Sequence, residues 1–136
     1  MTPTPGAWLK LRRQAARLSI ADVAAMTATE PRVAEHVRAG WLDLIEADAM
    51  PASFATIVAL RHAYPFDLHV LEQLVAISLG APLPAPRLCR ICGCSEHDPC
   101  EVAGAGCWWV RGDVCSACSP DTAPAPPAPA ADRDPA

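Results

Sequence analysis

Seven cysteines crowd one stretch of this 136-residue chain, and their spacing is that of metal ligands. Cys89-Arg-Ile-Cys92 and Cys115-Ser-Ala-Cys118 are two C-x2-C pairs separated by 22 residues, a spacing suited to a four-thiolate tetrahedral zinc site. Each pair can form a turn whose backbone N–H groups point at the first sulfur, and Gly93 suits the positive φ that such a turn often needs. Four thiolates leave the ion no open position, so its expected role is structural. Cys94, His97, Cys100 and Cys107 form a second set, three sulfurs and one nitrogen, able to hold another zinc ion. The same residues also fit buried free thiols, one thiolate shared between two close metals, or an iron–sulfur cluster. A segment of about 30 residues buries too little apolar surface to offset its chain entropy, whereas zinc ligation contributes on the order of 10 kcal/mol to folding. Of the neighbouring Trp108 and Trp109, one is expected to cover the metal site and the other to face outward.

No nucleophile–base pair, glycine-rich phosphate loop or open metal position accompanies these cysteines, so an enzyme is not expected and no residue is assigned to catalysis. His36, His62 and His69 have no cysteine or carboxylate pattern around them and read as surface or partly buried side chains.

The elements that position the cysteines separate by composition. Residues 1–80 are apolar and alanine-rich, residues 81–88 are a proline-rich linker, residues 89–119 hold the cysteines, and residues 120–136 are a Pro/Ala tail. Alternating prolines make the linker an extended, stiff spacer. On that reading the two flanking units are independent, and replacing Cys89 or Cys118 should unfold the second while leaving the first intact. The tail has almost nothing to bury and is expected to be disordered. With 51% hydrophobic and 19% charged residues, 15 prolines and few aromatics, the chain fits one small α-rich domain plus a smaller unit better than a β-sandwich. The absence of a long apolar run and of a signal-peptide pattern leads to an expectation of a cytoplasmic protein without membrane contact, consistent with thiols kept reduced for metal. The net charge is −4, so contact with a polyanion would rest on a local face, the stretch from Lys10 to Arg38 carrying six basic and three acidic residues.

Within residues 1–80 the apolar spacing predicts four or five short helices. Trp8, Leu11, Ala15 and Leu18 mark one stripe, with the basic residues largely off it. Ser19 and Asp22 form a capping box that opens a second helix through Ile20, Val23, Ala24 and Met26. A third is expected from a cap at Thr29 or Glu30, with Pro31 in its first turn and Gly40 as its stop, followed by a helical stretch from Trp41 to about Ala47. Pro51 opens a further helix with Phe54, Ile57, Val58 and Tyr64 on its apolar side. Asp67 caps the last, whose stripe is Leu68, Leu71, Leu74, Val75 and Leu79.

Leu11-Arg12-Arg13, Leu18-Ser19-Ile20-Ala21-Asp22-Val23-Ala24, Leu44-Ile45-Glu46, Pro51-Ala52-Ser53 and Thr56-Ile57 resemble the lambda-repressor-like (Cro-like, XRE) helix-turn-helix family over residues 7 to 75. The stretch from Ser19 to Glu46 is longer than that family's pattern. The resemblance implies a small DNA-binding transcriptional regulator acting as a homodimer. Arg32, His36 and Arg38 would lie nearest base edges, and Lys10, Arg12, Arg13 and Arg17 near phosphates. The cysteine stretch, from Cys89 through Gly106-Cys107-x-Trp109 to Asp113-Val-Cys-Ser-x-Cys118, resembles a module of small uncharacterised phage and prophage proteins. The acidic balance supports a different reading, a protein-interaction adaptor that keeps the helix-turn-helix fold and binds a partner through the zinc module.

Overall fold

The computed structural model describes residues 1–29 and 31–121. The architecture is mainly helical: α1 Pro5–Ala15, α2 Ile20–Met26, α3 Glu35–Glu46, α4 Phe54–Ala63 and α5 Leu68–Ser78 precede two small antiparallel sheets. The first sheet pairs β1 (Glu101–Val102) with β2 (Ala105–Gly106), and the second pairs β3 (Trp109–Arg111) with β4 (Val114–Cys115) across an irregular register. Nothing in the sequence pattern announced the sheets, because two- and three-residue strands are too short for alternation to show. Of the predicted tail, residues 122–136 lie outside the described residues, as does Glu30.

Helix starts follow the capping residues closely. The Ser19 hydroxyl accepts from the Asp22 N–H at 3.0 Å while the Asp22 carboxylate accepts from the Ser19 N–H at 2.8 Å, a complete capping box. Ser53 and Asp67 cap α4 and α5 by accepting from Thr56 N–H and His69 N–H.

The middle of the domain departs from expectation. Gly40 does not end a helix; it lies inside α3, which runs unbroken from Glu35 to Glu46. The predicted helix start at Pro31 is instead irregular chain. Thr29 Oγ1 accepts from Val33 N–H at 3.0 Å, and the Arg38 guanidinium donates to the carbonyls of Val33 and Ala24, so side chains bind the backbone groups that a longer helix would have paired internally. This loop joins α2 to α3.

The core gathers Trp8 and Leu9 of α1, Val23 and Ala24 of α2, Leu42 and Ile45 of α3, Leu60 of α4, Tyr64, Phe66, and Val70, Leu71 and Leu74 of α5. The face of α1 that turns inward carries Trp8, Leu9, Arg12 and Arg13, so two of its basic residues lie on the buried side. On α4, Phe54 is 77% exposed and Val58 is exposed as well, so its inward side is Leu60 and the flanking Tyr64, with Ile57 and Ala63 half-buried against the core. Gly6 marks the tightest helix approach: a Cβ there would meet the Ile45 carbonyl oxygen at 2.3 Å, so only glycine lets α1 abut the end of α3.

The linker does not keep the two segments apart. Leu88, its last residue, belongs to the helical core. Trp8 packs edge-on against Phe66, with ring centroids 5.9 Å apart, and its indole N–H donates to the Gly93 carbonyl at 2.8 Å. Arg12 reaches the same turn, donating to the Cys92 carbonyl at 3.2 Å and pairing with Asp98 at 3.0 Å. The first helix is thereby fastened to the first cysteine turn.

Candidate metal centre

The cysteines occupy three places along the chain. Cys89, Cys92 and Cys94 lie on a turn closed by Gly93 N–H to Cys89 O at 2.8 Å and Cys89 N–H to Cys94 O at 2.9 Å. Gly93 sits at φ +74° with Trp8 and Arg12 against its Cα, so a side chain there would be both strained and obstructed. Cys100 and Cys107 flank the β1–β2 hairpin and are tied by Cys107 N–H to Cys100 O at 2.7 Å. That hairpin turns through Ala103 and Gly104, both at positive φ, as a two-residue turn of matching twist requires. Cys115 ends β4, and Cys118 follows on a turn closed by its N–H to Cys115 O at 3.1 Å.

These places converge. The sulfurs of Cys89, Cys92, Cys94 and Cys115 lie within 4.8 Å of one another, and so do those of Cys94, Cys100, Cys107 and Cys115. Cys89, Cys92, Cys94 and Cys115 are buried, whereas Cys100, Cys107 and Cys118 are half-buried. Cys118 is half-buried and packs on this cluster from the rim; the close group around Cys89, Cys92 and Cys115 is completed by Cys94 rather than by Cys118, the fourth member of the first predicted set.

The second predicted set changes by one member. Cys94, Cys100 and Cys107 meet as expected, but their fourth neighbour is Cys115, while His97 is exposed and lines a cleft with Asp67, His69 and Arg87 beside α5. The turn after Ser95 carries the imidazole away from the sulfurs, which a spacing rule alone cannot foresee. Half-buried Trp109 packs on the cysteine cluster with Arg87 stacked 4.4 Å above its ring, and Trp108 is exposed.

The packing of the thiols concentrates negative charge at one sulfur. The adjacent Cys94 thiol and N–H, with the Cys100 and Cys118 thiols, outweigh burial and lower the Cys92 thiol to about 4. Cys94 moves upward, chiefly because the negative charge settles on Cys92 beside it. Cys100 is pushed up to about 12, and Cys118 is raised as well, both chiefly by burial. A buried thiolate ringed by thiols attracts a soft cation that takes over the role of those protons.

Comparisons with protein-family models, with curated proteins and with solved structures give no match to this chain. Function is therefore read from its own side chains.

The seven residues expected at DNA divide into two groups. Arg12, Arg13 and Arg38 are buried and matched to internal acceptors. Arg12 meets Asp98 and the Cys92 carbonyl, Arg38 holds the loop before α3, and Arg13 donates to Glu46 at 2.6 and 2.9 Å and to the Leu18 carbonyl at 2.7 Å. The Glu46 hydrogen bonds raise the Arg13 pKa further. Lys10, Arg17, Arg32 and His36 are exposed; Arg32 lies in the loop, and His36 stands in the first turn of α3. Among the described residues, no helix is long and apolar enough to cross a membrane.

Proposed function

We propose that this chain is a protein-interaction adaptor whose cysteine segment holds zinc as a structural ion. The observation that carries the adaptor reading is the outward side of α3. Its exposed residues are Glu35, His36, Gly40, Trp41, Asp43 and Leu44, and its one arginine, Arg38, faces inward. A helix that reads base edges presents cations or amides to an electronegative groove. This one presents two carboxylates beside a tryptophan and a leucine, a composition nearer that of protein interfaces. An apolar cleft of about 260 Å³, lined by Thr27, Trp41, Leu42, Met50, Pro51 and Thr56 among others, lies beside it.

The donor set supports zinc. Cys92 and Cys115 are 3.8 Å apart, and so are Cys94 and Cys107. Zinc–sulfur bonds of about 2.3 Å in a tetrahedron place sulfurs about 3.8 Å apart. When bound, the ion would neutralise thiolates and fix the turns; an all-sulfur shell leaves it no position for substrate.

The regulator reading keeps Lys10, Arg17, Arg32 and His36 as exposed cationic or titratable groups, and one experiment separates the two. Genome fragments from the source organism are selected on the zinc-loaded full chain at about 0.15 M salt, where much nonspecific attraction is screened. The adaptor reading expects no enriched site, together with a discrete protein adduct in the source cell when a photo-crosslinking residue replaces Leu44. Enrichment of a short, roughly palindromic sequence would overturn it in favour of a dimeric regulator.

A further inference from the structure

We infer that the cysteine segment binds two metal ions, joined through the sulfur of Cys115. The inference rests on the metal-binding reading above and specifies its stoichiometry and connectivity.

Cys115 belongs to both groups of mutually close sulfurs, and so does Cys94. Two four-coordinate ions that share one sulfur need seven sulfurs, the number this chain has. Cys118 decides which sulfur is shared. It packs on the cluster from the rim and is the one cysteine in neither close group; as the C-x2-C partner of Cys115 it is the sulfur left to complete Cys89, Cys92 and Cys115, which releases Cys94 to the other ion. One site is then Cys89, Cys92, Cys115 and Cys118, and the other is Cys94, Cys100, Cys107 and Cys115. His97 is not required, in keeping with its exposure.

Two distances fit this division. The Cys92–Cys115 separation of 3.8 Å is an edge of the first tetrahedron, and the Cys94–Cys107 separation of 3.8 Å is an edge of the second. Cys92 and Cys100, assigned to different ions, stand 3.5 Å apart, so the two shells abut with no chain between them. Cys115 is 1% exposed, a central position that a shared ligand must have. The Cys100 N–H donates to Cys107 Sγ at 3.2 Å, a hydrogen bond that helps a sulfur carry negative charge.

The test is native mass spectrometry of the zinc-loaded full chain, followed by cobalt(II) titration of the same protein read by electron paramagnetic resonance. Two zinc ions per chain are expected, with less signal per cobalt at two equivalents than at one, because a shared thiolate couples the two spins. Cys107→Ser should lower the content from two ions toward one, whereas Cys115→Ser should weaken both. One zinc per chain would overturn the two-ion inference and leave the metal reading intact; no zinc would overturn both. Two zinc ions with full, uncoupled cobalt signal would overturn the bridge, and acid-labile sulfide in the purified protein would replace the inference with an iron–sulfur cluster.

Discussion

The indole N–H of Trp8 donates to the carbonyl of Gly93 at 2.8 Å, and the Gly93 Cα lies so close that an added Cβ would meet Trp8 Nε1 at 3.0 Å and Arg12 Cδ at 3.1 Å. A core tryptophan of the first helix is thus part of the support of the first cysteine turn. Metal removal should therefore reach the helices. Dialysis against a chelator is expected to lower the unfolding temperature of the helical signal in circular dichroism together with that of the cysteine segment. An unchanged helical transition would restore the picture of two independent units. Gly93→Ala forces a left-handed alanine at about 1–2 kcal/mol and crowds Trp8, so it should destabilise both segments in one transition.

Arg13 and Glu46 form a two-pronged ion pair in which both side chains are about nine-tenths buried. Removing one partner strands a buried charge at about 3–5 kcal/mol. Arg13→Met is expected to lose that much by urea unfolding, and Arg13→Met with Glu46→Met should regain most of it. A loss below about 1 kcal/mol for the single change would mean that Arg13 behaves as a surface cation, as its place in a basic run suggests.

Gly40 lies within α3, and a Cβ there has nothing within 4 Å. Gly40→Ala should stabilise the protein by about 0.5–1 kcal/mol, seen as a higher denaturant midpoint at unchanged slope. A decrease would show that α3 breaks at this residue.

The Asp22 carboxyl is held below the usual carboxylate range because it accepts the Ser19 N–H and hydrogen-bonds its hydroxyl. A lowered folded value means that the charged cap stabilises above the unfolded value, near pH 4, and that this contribution fades as pH falls through the folded value. The stability difference between wild type and Asp22→Asn should be constant at neutral pH and shrink on acidification below about pH 4. A difference that grows with acid would contradict the capping box.

Local chemistry was legible in the sequence, because caps, prolines and C-x2-C spacing act within a few residues of themselves. Ser19 with Asp22, Asp67 before α5 and the paired cysteines needed nothing distant to declare their roles, whereas α4 opens after a Ser53 cap and not at Pro51. The mainly helical class followed from apolar periodicity for the same reason. What the tertiary structure decided depends on partners far along the chain. Arg12 reads as a surface cation until Asp98 and the Cys92 carbonyl, 86 and 80 residues away, are folded against it. Arg38 reads as a solvent-facing helix residue until the carbonyls of Ala24 and Val33 meet it, and Gly40 as a stop until the neighbouring helices hold α3 straight through it. Counting placed His97 among the sulfurs and set Cys115 in a single group. Only the folding of a hairpin between Cys100 and Cys107 and of β4 beside it brings Cys115, together with Cys94, into both groups, because which sulfurs lie within bonding reach of one ion is a property of distance in space.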